Sequence, residues 1–161
     1  MFYLLELLLK LNFPNVRAIK ICELAQYTKP QASGLSQHNQ GTPAPLIIDA
    51  RSPEEYAVSH IKSAQKIEDN LGTVKLPEVP LDNPIVVYCS IGYRSAKVAQ
   101  QLQLAGYQNV FNLSGGVFQW VNQGHPVFQG QHQVEIVHPY NLIWGKLLKS
   151  KYHADIYSNP K

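Results

Sequence analysis

The sequence predicts an α/β fold with a central parallel sheet of about five strands and helices on both faces. Three observations carry that expectation. Short apolar runs alternate with helix-like segments along most of the 161 residues, as successive strand–helix–strand units require. Ile85-Val86-Val87-Tyr88 is apolar throughout, which fits a strand covered on both sides. The hydrophobic content of 45% is enough for one compact core with extensions.

Residues 2–13 are very apolar but carry Glu6 and Lys10 and stop at Pro14, so the run is too short to span a bilayer. It also has neither the basic leader nor the small-residue cleavage site of a signal peptide. The expectation is a helix packed on the domain, with a dimer contact or peripheral membrane contact as alternatives; integral insertion is not expected. Val16 to Ile21 follows as a short strand and Glu23 to Tyr27 as a helix. Residues 29–45, rich in Pro, Gly, Ser and Gln, predict a loose loop.

The regular alternation then runs strand 46–49, helix 53–58, a short strand near 64–67, and a connection through Pro77, Pro80 and Pro84. Strand 85–88, helix 95–105, strand 109–112 and helix 115–123 complete it, with Trp120 facing the core. The tail from Gln131 predicts a short helix within Tyr140 to Leu148 and then a frayed end. The expected organisation is an N-terminal helical extension (1–15), one domain (16–128) and a C-terminal extension (129–161).

A net charge of +3 supplies no dense basic stripe, which argues against nucleic acid as a partner. Two cysteines, Cys22 and Cys89, are too few for a disulfide framework and fit a reducing compartment such as the cytoplasm. Cys22 reads as buried helix filler. His125, His132, His138 and His153 have spacings that match no metal site, so no metal is expected.

Cys89-Ser90-Ile91-Gly92-Tyr93-Arg94-Ser95 lies between the apolar strand and the next helix. Backbone N–H groups converge at such a junction, and the helix points its positive end there, favouring thiolate over thiol on Cys89. A loop with its amides turned inward forms a nest for an anion resting on the sulfur. Gly92 suits a left-handed step, Arg94 adds a fixed positive charge, and Ser95 reads as the helix N-cap. Asp49 and Arg51 follow a strand end, where a charged pair fixes a loop; Arg51 is expected to pair with a carboxylate such as Glu55. His60 reads as structural.

Several motifs in this order resemble the rhodanese family in its single-domain sulfurtransferase form. Leu46 to Tyr56 is similar to the family's opening strand, Asp-x-Arg signature and Glu-Tyr helix, and Ser59-His60-Ile61-Lys62-Ser63-Ala64 to its Gly-His-Ile-x-Gly-Ala segment. Cys89 to Arg94 resembles the active loop. Gly106 to Trp120 resembles the closing stretch and Gly124-His125-Pro126-Val127 its end. Ser59 and Ser63 replace two family glycines, which implies a slightly different turn around His60.

The resemblance implies a rhodanese-like fold and sulfane-sulfur transfer through a Cys89 persulfide, without a cofactor. The donor would be a small sulfur-containing anion such as thiosulfate, or a persulfide. The acceptor would be cyanide, a thiol or a protein cysteine. Ser90, Ile91, Gly92, Tyr93, Arg94 and Ser95 would bind substrate, with Asp49, Arg51 and His60 in support. Four residues separate Cys89 from Arg94, the loop length of the family's sulfurtransferases, whereas related cysteine-dependent phosphatases have five. Apart from Arg94 the loop is uncharged, which predicts a modest preference for thiosulfate and a better reaction with a larger or protein-borne donor. The alternative is a non-catalytic sulfur-sensing or protein-interaction module on the same fold.

Overall fold

A computed structural model describes residues 2–28, 43–67, 76 and 78–156. Most of the loose loop expected over 29–45, together with Pro77 and the last five residues of the tail, lies outside the described residues.

Five strands form one parallel sheet in the order β1-β5-β4-β2-β3: β1 (Arg17–Ile19), β2 (Leu46–Asp49), β3 (Gln65–Lys66), β4 (Ile85–Tyr88) and β5 (Val110–Leu113). Successive side chains of β2 and β4 point to opposite faces, and each face has its own apolar cluster. Ile47, Val86 and Tyr88 pack with Leu24 of helix α2 (Ile21–Thr28) and with Phe118 and Trp120 of helix α5 (Gly116–Asn122). Ile48, Ile85, Val87 and Cys89 pack with Val98, Ala99 and Leu102 of helix α4 (Tyr93–Leu104). Helices therefore cover both faces, as the α/β reading requires.

Helix α3 (Pro53–Val58) follows β2 because its first turn is fully specified by local sequence. Ser52 accepts from the Glu55 amide, the Glu55 carboxylate accepts from the Ser52 amide, and Pro53 stands where a missing N–H costs nothing. Strand β2 has β3 on one side and β4 on the other, so the connections change direction between β2 and β4. Pockets in open α/β sheets lie outside the carboxyl ends of strands at such a reversal, and Cys89 immediately follows β4 there.

Both ends of the chain reach the same region. Helix α1 (Phe2–Asn12) rests Phe2 and Leu5 on the core while Leu4, Leu7, Leu8 and Leu11 stay exposed. Phe13 is buried, with its ring edge-on to Tyr93 at 5.6 Å. Beyond α5, strands β6 (Val127–Gln129) and β7 (His132–Val134) pair as an antiparallel hairpin that the strand assignment from sequence did not include. The chain then folds back, placing Val137, Leu147 and Leu148 in the core. Asn122 of α5 ties this segment down, donating to the Leu147 carbonyl and accepting from the Lys149 amide. The short helix expected within Tyr140 to Leu148 is a 3-10 turn at Trp144–Leu147. Among the described residues no helix is long and apolar enough to cross a membrane.

Candidate active site

The loop after β4 keeps its shape because its carbonyls are bound from behind. Cys89 and Ser90 accept from the Val117 and Phe118 amides in the first turn of α5, at 2.9 and 3.1 Å. The Gly92 carbonyl accepts from Asn112 Nδ2 at 3.0 Å and from the Ala96 amide. With these carbonyls engaged by α5, α4 and β5, the sulfur meets donors: the Gly92 amide points at Cys89 Sγ from 3.1 Å. Ser95 Oγ lies 3.4 Å from the same sulfur and donates to Asn112 Oδ1 at 2.6 Å.

Two glycines make this arrangement possible. Gly92 has φ 110°, a step that lets α4 begin one residue later at Tyr93. Gly116 has φ 58°, and a Cβ there would stand 2.3 Å from the Cys89 carbonyl oxygen and 2.7 Å from Ser90 backbone atoms. Only a residue without a side chain allows α5 to approach the loop this closely.

Arg94 closes the ring from the other side. Its two Nη groups donate to the Glu55 carboxylate at 2.7 and 2.8 Å, and Nη2 also donates to Ser90 Oγ. Burial opposes a charge on Glu55, but hydrogen bonds from Arg94, the Ser52 amide and Ser90, together with Arg94's charge, outweigh it and bring its pKa down to about 2. For Arg94, burial again works against the charge, while Glu55 and then Cys89 raise its pKa above the ordinary value.

Cys89, Ser90, Ile91, Tyr93 and Arg94 line a cavity of about 100 Å³, joined by Tyr140 and Trp144 from the C-terminal segment. Cys89 as a residue is only 1% exposed, whereas the rim residues Tyr93, Tyr140 and Trp144 reach solvent. The structure thus brings together the residues expected around the sulfur, with Gly92 and Ser95 supporting it from behind.

The other expected residues stand apart from this cavity. Asp49 and Arg51 form a wholly buried ion pair at 2.6 Å, and Asp49 Oδ2 also accepts from the Tyr88 hydroxyl at 2.6 Å. Arg51 Nη2 donates to the Ser59 carbonyl, and Tyr88 Oη accepts from the Ile61 amide, fastening the segment after α3 to β2 and β4. Burial disfavours a charged Arg51, but the charge and hydrogen bonds of Asp49 oppose that, and its pKa is raised. The neighbouring Asp49 charge reinforces burial at Tyr88 and holds its hydroxyl protonated well above the usual range. His60 sits against the Tyr56 ring at 4.2 Å with Nδ1 on the Phe128 carbonyl, and burial lowers its pKa.

Three expectations need correction. The N-cap of α4 is Gly92, not Ser95; the Ser95 hydroxyl is drawn inward by Asn112, and the left-handed step at Gly92 starts the helix earlier. Arg51 pairs with Asp49 rather than Glu55, because Glu55 turns to Arg94. Cys22 is exposed rather than buried. The implied change of turn near His60 involves Ser63, which takes φ 62°, the left-handed step a glycine adopts without strain.

Sequence reasoning missed Asn112, Gly116, Tyr140 and Trp144 as parts of the site. Asn112 had a visible signal, a buried amide within the apolar strand Val110-Phe111-Asn112-Leu113. Tyr140 and Trp144 lie beyond the last family-like motif, which ends at Val127, and only the fold-back brings them to the sulfur.

The model of the rhodanese-like domain matches residues 32–123. The chain belongs to the rhodanese-like domain family. Among its relatives is a sulfurtransferase of Allochromatium vinosum, 34% identical over 96 residues that cover 60% of this chain and 90% of that protein. The thiosulfate sulfurtransferase GlpE of Pseudomonas fluorescens is 32% identical over 75 residues, covering 47% of this chain and 69% of the relative. Two other relatives are much longer, and this chain spans 21% of their length. A rhodanese-related protein of Thermoplasma volcanium superimposes with a TM-score of 0.55 at 25% identity, covering 70% of this chain and 98% of that structure. These rhodanese relatives support a sulfurtransferase-type role.

Proposed function

We propose that this rhodanese-like protein moves sulfane sulfur from thiosulfate or a persulfide to a thiophilic acceptor, with Cys89 as the carrier. The observation that carries this reading is the Gly92 amide aimed at Cys89 Sγ from 3.1 Å, in a loop whose Cys89, Ser90 and Gly92 carbonyls are engaged by α5, α4 and β5. An anionic sulfur there is held by fixed dipoles that need no rearrangement as charge moves. The sulfurtransferase names of two relatives point the same way.

In the first step the Cys89 thiolate attacks the outer sulfur of the donor. A new S–S bond forms at Cys89 while the donor's own bond to that sulfur breaks, and its electron pair leaves on sulfite or on a thiolate. In the second step cyanide, a thiol or a protein cysteine takes the outer sulfur and returns Cys89 to thiolate. Arg94 and Glu55 hold the loop closed around the persulfide. Ser95 stands behind the sulfur and keeps Asn112 on the Gly92 carbonyl.

Steady-state assay with thiosulfate and cyanide tests the reading. Thiocyanate should form, and Cys89→Ser should abolish it; faster turnover of an aryl phosphate than of any sulfur donor would overturn the assignment. Burial of Cys89 gives the second reading a footing, a sulfur-binding module of slow turnover. Stoichiometric loading of the cysteine without multiple turnovers would select it.

A further inference from the structure

Beside the small cavity over Cys89 lies a second one of about 200 Å³, and the two share Ile91, Tyr93 and Trp144. Leu5, Leu8 and Leu9 of α1 form its opposite wall. Its polar member, Asn12, turns its amide onto the Leu8 carbonyl, so the remaining lining is hydrocarbon and aromatic ring. The α1 residues and Trp144 fall outside the 32–123 family match, while Ile91 and Tyr93 lie within it, so segments outside the family match close this space over the sulfur loop.

Charge at the entrance is already matched. The Arg94 guanidinium gives its Nη groups to Glu55 and Ser90, and the Tyr140 ring covers it at 4.6 Å. Tyr140 holds this place at φ 66°, a strained conformation for an aromatic residue, with its amide donating to His138 Nδ1 at 3.0 Å. A compact dianion therefore meets no unpaired cation among the described residues that line the entrance, and the adjoining space offers it no charge and, as an amide, only that of Asn12, which is already engaged.

We propose that the cavity between α1 and Trp144 is a subsite for the organic arm of the donor, which makes an apolar alkyl or aryl hydropersulfide the better substrate and thiosulfate the poorer one. The inference rests on the sulfurtransferase reading and names its substrate class. The donor R–S–SH places R against the α1 leucines and its terminal sulfur at Cys89. Thiolate attack forms the Cys89 S–S bond, breaks the donor S–S bond, and sends the electron pair out on R–S⁻, which takes a proton from water. No oxidant or reductant enters the step. Burying R removes apolar surface from water on both partners, a gain that sulfite as the leaving group cannot supply.

The test is the second-order rate of sulfur loading onto Cys89, followed by quenching with an alkylating agent and intact-protein mass measurement. Methyl, butyl and benzyl hydropersulfides are compared with thiosulfate. Loading by wild-type protein should rise from methyl to benzyl, and benzyl hydropersulfide should exceed thiosulfate at least tenfold. Leu8→Gln and Trp144→Ala, both at partly exposed positions, should each lower the benzyl-to-thiosulfate ratio fivefold or more. A ratio within twofold of wild type in both variants, or no trend with the size of R, overturns this inference and leaves the sulfurtransferase reading standing. Failure of every donor to load wild-type protein overturns both.

Discussion

With its carboxylate bound by Arg94, Ser90 and the Ser52 amide, Glu55 stays ionised down to about pH 2. It joins α3 to the sulfur loop, so its charge state affects both stability and loop geometry. Its folded pKa lies below the ordinary 4.5, so the stabilisation is complete above pH 4.5 and is lost as pH falls from there toward 2. Glu55→Gln should destabilise the protein at pH 7 by on the order of 3 kcal/mol. Urea unfolding across a pH series should show that gap shrinking below pH 4.5; a constant gap would contradict the ion-pair account. The sequence showed Glu55 near a cationic partner but not which one. Arg51 is two residues from Asp49 and close enough to fold onto it, whereas Arg94 reaches Glu55 only through the tertiary fold.

The elements that present the sulfur are those with the strongest local signals. Strand β4 is a continuous apolar run, β2 is three apolar residues ending at Asp49, and α3 carries a complete capping box, so their positions were legible from residues within a few places of one another. The start of α4 was not, because a serine that suits an N-cap is used instead for the hydrogen bond to Asn112 on a neighbouring strand. Nor was the role of α5 in holding the loop, which depends on a close approach that a motif cannot display. Gly116→Ala tests that approach. The added methyl would meet the Cys89 carbonyl at a positive φ, and a loss of about 2 kcal/mol or more in unfolding free energy is expected, with a larger relative loss of sulfur loading than of stability. A variant as stable and active as wild type would show that the loop does not depend on α5.

At the scale of the molecule, α1 and the segment after β7 converge on the site from opposite ends of the described residues. The apolar character of residues 2–13 and of Tyr140 to Leu148 was visible, but apolarity alone does not say which surface a segment covers. Leu148 is 3% exposed within the main core cluster, so Leu148→Ala should cost about 2–4 kcal/mol in chemical unfolding, as for an interior leucine. A loss under about 0.5 kcal/mol, the range of a surface change, would mean that the segment is only loosely attached.

The proposed sulfur transfer requires that one thiol, and not the other, carry the extra atom. Intact-protein mass measurement after incubation with thiosulfate or a hydropersulfide addresses this directly, since Cys22 is exposed and serves as an internal control. The expected result is a gain of one sulfur, located on Cys89, removed by cyanide and lost in Cys89→Ser. No gain, or a sulfur found on Cys22 in its place, would contradict the account.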